Sequence, residues 1–76
     1  MRFAALVIFI FNELLSKNTV TVTEIYEEQE RDYSRRTIQR AFKIIRETIN
    51  IVEYEKKLSI VYYYIPKEFK KLNYSI

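Results

Sequence analysis

The chain opens on an unbroken apolar run. Residues 3–11 read Phe-Ala-Ala-Leu-Val-Ile-Phe-Ile-Phe, and Leu14 and Leu15 extend the run past Asn12 and Glu13. A helix here is hydrophobic nearly all round, and such a helix must be buried nearly all round. Lys17 and Asn18 end it, because lysine suits the negative end of the helix dipole and asparagine accepts a left-handed terminal conformation. Thr19-Val20-Thr21-Val22 reads as a short extended strand. Thr21 and Glu24 then stand at capping-box spacing, with Thr23 as an alternative cap, and predict a second helix over about 22–30. Its apolar contacts are Ile25 and Tyr26.

The clearest periodicity comes next. Residues 31–33 break the pattern, and Ser34 sits where an N-cap belongs. Ile38, Ala41, Phe42, Ile45 and Ile49 then recur at helical spacing as one buried stripe. At 100° per residue, Arg36, Arg40, Lys43 and Glu47 fall on the opposite face, flanked by Arg35, Gln39 and Arg46. Beyond the helix, residues 51–55 alternate apolar and acidic positions, as a half-buried strand does. Residues 60–65 are β-branched or aromatic throughout and stop at Pro66. Together they predict a hairpin. Lacking the Asn-Gly signal of a two-residue turn, its tip is expected to be a four-residue loop over 56–59. Residues 67–76 read either as a tail or as a short helix.

Composition narrows the chemistry. The chain has 76 residues, with no cysteine, histidine or glycine. Those absences exclude disulfides, zinc fingers, Cys/His nucleophile pairs, Ser-His-Asp triads and glycine-dependent phosphate loops. Glu24, Glu27 and Glu28 supply carboxylates, but on an exposed helix beside Arg31, where solvating and ion-pair roles fit better than acid–base catalysis. The chain is therefore not expected to be an enzyme, and no cofactor, metal or small-molecule ligand is implied. The apolar start is too short to span the ~30 Å hydrocarbon core. Asn-Glu-Leu-Leu-Ser-Lys follows it in place of a small-residue cleavage site, which disfavours a signal peptide. A domain this small cannot wrap the first helix completely. Its free face is expected either to meet a second subunit, with Phe3, Val7, Ile10 and Phe11 as contacts, or to leave a few apolar residues exposed on a helix that packs only within the chain.

Charge points to a partner. The formal net charge is +3. Residues 31–46 hold six basic side chains (Arg31, Arg35, Arg36, Arg40, Lys43, Arg46) against one acid, Asp32. That local excess suits a polyanion. The side-chain types match nucleic acid: arginine pairs bidentately with guanine, glutamine with adenine, and hydroxyls with phosphate. The tyrosines at 62–64 could stack on single-stranded bases, but core packing on one face explains them as well.

Helix, short strand, helix, basic helix and two-stranded hairpin is the order of a winged helix-turn-helix. The segment Tyr33-Ser34-Arg35-Arg36-Thr37-Ile38-Gln39-Arg40 resembles the start of the recognition helix in bacterial and archaeal winged-helix regulators. The likeness is greatest to the DeoR-like and WYL-type group, whose motif runs roughly valine-serine-arginine-arginine-threonine, an aliphatic residue, and an arginine two further on. Ile51-Val52-Glu53-Tyr54 and Tyr62-Tyr63-Tyr64-Ile65-Pro66 resemble that group's wing strands. The chain departs from the group in having no glycine between the second and third helices, a longer stretch there, and no effector domain. In that respect it is similar to small stand-alone winged helices of archaeal viruses and plasmids.

The resemblance implies an α+β fold: three helices plus a two- to three-stranded antiparallel wing, with the domain over 1–66. It implies a sequence-specific, double-stranded-DNA-binding transcription regulator, acting as a dimer in the cytoplasm, or the host cytoplasm if viral. Arg35, Arg36, Thr37, Gln39, Arg40 and Lys43 would enter the major groove, with Lys56 and Lys57 on the wing, and Ser34 and Arg46 complete the expected DNA-binding set. The alternative is a protein-interaction module on the same fold, within a replication, packaging or transcription assembly.

Overall fold

The computed structural model describes the backbone of residues 2–74. It is an α+β arrangement of helices followed by a two-stranded antiparallel sheet. The last two residues of the expected tail lie outside the described residues. Among the described residues, no helix is long and apolar enough to cross a membrane.

Helix α1 spans Arg2–Ser16 and buries Leu6, Ile10 and Leu14 on one face. It ends where Lys17 N–H donates to the Glu13 carbonyl at 2.9 Å. The Lys17 ammonium lies 2.6 Å from Glu13 and 2.9 Å from Glu28, so it joins the end of α1 to the following helix. The linker strand expected at 19–22 shrinks to one bridging residue. Val20 exchanges two backbone hydrogen bonds of 2.8 Å with Tyr63.

Helix α2, Val22–Glu28, starts on the expected capping box. Glu24 N–H donates to Thr21 Oγ1 at 3.1 Å, and Thr21 N–H donates to Glu24 Oε1 at 2.8 Å. Two of the helix's orphan amides are thereby satisfied. The helix is shorter than the sequence predicts because it closes in a Schellman motif. Arg31 N–H donates to the Tyr26 carbonyl at 2.9 Å and Glu30 N–H to the Glu27 carbonyl at 3.0 Å. The motif demands a left-handed residue, normally glycine. Glu30 fills that place at φ 54°, and Arg31 follows at φ 62°.

Helix α3 spans Arg35–Thr48. Ser34 caps it, with Thr37 N–H donating to Ser34 Oγ at 3.1 Å. Ile38, Ala41, Phe42 and Ile45 are buried as the periodicity predicts, and Ile49 is half-buried. α3 packs against both α1 and α2, so its stripe forms the centre of the core with Leu6, Ile10, Leu14, Val20 and Ile25.

The hairpin differs from expectation. Strand β1 is Glu53–Lys57 and β2 is Ile60–Tyr64, with Tyr54 opposite Tyr63, Lys56 opposite Val61 and Lys57 opposite Ile60. The loop is therefore Leu58 and Ser59 alone, not 56–59. Both carry positive φ, 50° and 68°, as a type I′ turn requires. β1 is exposed along its whole length rather than half-buried. The buried residue of that stretch is Val52, ahead of the strand. Helix α4, Lys67–Tyr74, resolves the ambiguity at the end of the chain in favour of a helix. Phe69 packs on the core, and the Lys70 ammonium donates to the Lys17 carbonyl. Burial, and then the neighbouring Lys67, lower the Lys70 pKa.

Candidate nucleic-acid interface

The exposed side of α3 carries Arg35, Arg36, Gln39, Arg40 and Lys43, with Arg46 half-buried at its end. The hydrophobic stripe sets this orientation. Burying Ile38, Ala41, Phe42 and Ile45 leaves the arginines no other direction. Among the described residues, no carboxylate lies within ion-pair distance of any of these five cations. Five of the ten acids are paired elsewhere: Glu13 and Glu28 with Lys17, Glu27 with Arg31, Glu55 with Lys57 and Asp32 with Arg2. Glu24 is held in the capping box. Glu47, one turn after Lys43 and exposed on the same face, makes no ion pair among the described residues, so the face keeps a net positive charge with its cations unpaired.

Three of the arginines are braced by aromatic rings. The Arg35 guanidinium lies 4.6 Å from the Tyr26 ring centre and donates to Thr23 Oγ1 at 2.8 Å. Arg40 lies 5.4 Å from the Phe3 ring and Arg46 4.2 Å from the Tyr54 ring. A cation over an aromatic face is held without being neutralised. Arg36 and Lys43 have neither an aromatic nor an acidic partner among the described residues. Ser34 and Thr37 are occupied differently. Their hydroxyls lie 2.9 Å apart while Ser34 caps the helix, so their first task is the start of α3.

The hairpin lies beside this face. Tyr63 stacks on Phe42 with ring centres 4.0 Å apart, which fixes one side of the sheet against α3. Directly paired residues share a face and neighbours along a strand alternate. Tyr54, Lys56, Val61 and Tyr63 therefore lie on the α3 side, and Lys57 lies on the other with Glu55, its 3.7 Å partner. The two lysines expected to act together at a loop are separated onto opposite faces. Lys56 is the one that shares a side with the arginines.

Between hairpin and helices runs an open cleft of about 360 Å³, lined by Thr23, Arg35, Gln39, Ser59, Val61 and Tyr63 among others. Thr23, Ser59 and Tyr63 were not expected there from sequence. The hydroxyl of Thr23 is the only part of that set with a local signal, its place in the first turn of α2. Among the described residues no group of three or more His, Cys, Asp or Glu converges to hold a metal.

The expected subunit contacts need one correction. Ile10 is fully buried inside this chain, between Leu6 and Leu14 on the core face, and cannot reach a partner. Phe3, Val7 and Phe11 are half-buried against the core. The open side of α1 is instead marked by Ile8, 62% exposed, with Ala4 exposed and Leu15 half-buried nearby. No family model, curated protein or solved structure matches this chain.

Proposed function

We propose that this chain is a winged helix-turn-helix that binds double-stranded DNA sequence-specifically and regulates transcription in the cytoplasm. The observation that carries this is the unpaired basic face of α3 beside a hairpin with its own lysine. α3 supplies the major-groove element, with Arg36, Gln39, Arg40 and Lys43 reaching base edges and phosphates. Arg35, braced by Tyr26 and Thr23, is preset beside the cleft, so little side-chain entropy is lost when it takes a phosphate. Lys56 follows the adjoining backbone from the hairpin, which serves as the wing.

The protein acts as a homodimer through α1. Ala4, Ile8, Phe11 and Leu15 repeat at four- and three-residue steps, which is coiled-coil seam spacing. The seam is uncharged, so two copies can meet on it without burying an unpaired ion. Such a dimer would read two half-sites about 34 Å apart. The test is selection from a random duplex pool. Recovery of an inverted repeat supports the proposal. Failure to enrich any duplex at low salt contradicts it and favours a protein-interaction module.

A further inference from the structure

The hairpin turn is made of a residue that local propensity would not choose. A two-residue turn with both φ values positive favours Asn-Gly, because a Cβ crowds the backbone in that region. Leu58 occupies the first position at φ 50°. It gains no packing in return. Leu58 is 96% exposed, and Ile60 beside it is 47% exposed. Packing within this chain therefore gives no reason for a leucine side chain at this strained, solvated turn position.

Its surroundings point to an occupant. Lys56 and Lys57 precede it, and Ser59, Ile60 and Val61 after it line the cleft shared with Arg35 and Gln39. The apolar tip is thus continuous with the unpaired cationic surface and flanked by cations of its own. We propose, building on the DNA-binding function above, that Leu58 is a wedge. As α3 occupies the major groove, the wing tip enters the adjacent minor groove and Leu58 inserts at a base step. Lys56, on the α3 side of the hairpin, holds the flanking phosphate of one strand, and Lys57, on the opposite side, exchanges its exposed Glu55 contact for a phosphate of the other. Apolar wedges of this kind partly unstack a step and kink the duplex toward the major groove. Pyrimidine–purine steps yield most easily, so Leu58 adds a preference for a flexible step at a fixed distance from the bases read by α3.

The test uses a duplex recovered from a random pool by the wild-type protein, carrying a donor and an acceptor dye at its two ends. Wild type is expected to shorten the end-to-end distance. Leu58→Asn should remain folded, because asparagine is at home at positive φ. It should bind about tenfold more weakly, with an unchanged salt slope because no charge is altered, and lose most of the bend. Leu58→Phe, which keeps an apolar wedge, should retain the bend. Bending by Leu58→Asn equal to wild type overturns the wedge and leaves the DNA-binding function standing. So does wild-type binding without bending. Loss of affinity for phosphatidylglycerol vesicles in Leu58→Asn, with bending intact, overturns it in favour of a lipid surface. Failure to recover any duplex overturns both.

Discussion

The ring of Tyr63 lies flat on the ring of Phe42, with centres 4.0 Å apart and planes 14° from parallel. Tyr63 also exchanges two backbone hydrogen bonds with Val20. One residue of β2 therefore joins the hairpin to the core side of α3 and to the linker between α1 and α2. This stack, together with the Arg46 guanidinium 4.2 Å from the Tyr54 ring, joins the hairpin to α3.

Removing the ring should loosen that relation. Tyr63→Ala is expected to lower folding stability by about 2–3 kcal/mol, since it deletes a large, partly buried ring. Tyr63→Phe keeps the stack and should change stability by less than about 0.5 kcal/mol. Urea denaturation of both variants decides it. Equal losses for the two would mean that the hydroxyl, not the stack, carries the contact.

The same residue gives the fold a pH dependence. Burial pushes the Tyr63 phenol above its ordinary value, against a smaller opposing effect of Arg46. An acid whose folded pKa is raised contributes stability that is intact below the unfolded value and is lost as pH rises through the folded one. Lys17, whose ammonium is held by Glu13 and Glu28, shifts upward and acts in the same direction. Lys70, pushed down by burial, acts in the opposite one. Stability should therefore fall above about pH 10 in wild type, and less so in Tyr63→Phe. An identical alkaline profile for the two proteins would contradict this.

The turn after α2 contains a removable cost. Glu30 holds the left-handed position of a Schellman motif at φ 54° without being glycine. Glu30→Gly is expected to raise stability by about 0.5–1 kcal/mol, less the added freedom of the unfolded chain. Thermal unfolding at fixed concentration measures it. A lower midpoint would show that the Glu30 side chain does something its backbone position does not reveal.

Some of this architecture was legible in the sequence, for physical reasons that differ by element. Helix α3 was clear because its stripe is strictly periodic and Ser34 is a good cap. The Thr21–Glu24 box was equally local. The phase of α1 was not legible, since the nine consecutive apolar residues 3–11 offer no polar position to mark which side faces out. Only its packing on α3 shows that Ile10 faces inward and Ile8 outward. The hairpin register was missed because turn propensity argued against Leu58-Ser59. A four-residue loop would shift β1 by two residues and leave Val61 and Tyr63 facing α3 all the same, so only the observed pairing of Tyr54 with Tyr63 distinguishes the two registers. The arginine face was readable from spacing. Its bracing by Tyr26, Phe3 and Tyr54 was not, because each pair joins two different elements and depends on how they pack.

The open side of α1 makes a separate claim. Ile8→Glu places a charge in the middle of the proposed seam while leaving the core face of Leu6, Ile10 and Leu14 untouched. Sedimentation should find a wild-type dimer and an Ile8→Glu monomer with unchanged helical content. A monomeric wild type at micromolar concentration would exclude dimerisation through this face.

The most direct test of the central claim is a fluorescence-anisotropy titration of mixed-sequence duplex DNA at several salt concentrations, with wild type, Arg36→Ala and Lys43→Ala. Arg36 and Lys43 are exposed and unpaired among the described residues, so their removal should not disturb the fold. Wild-type affinity is expected to fall steeply with salt. Each substitution should weaken binding and reduce the slope by about one unit. Duplex binding that is absent at low salt, or that keeps its full affinity and slope in both variants, would contradict the assignment of α3 as a DNA-binding helix.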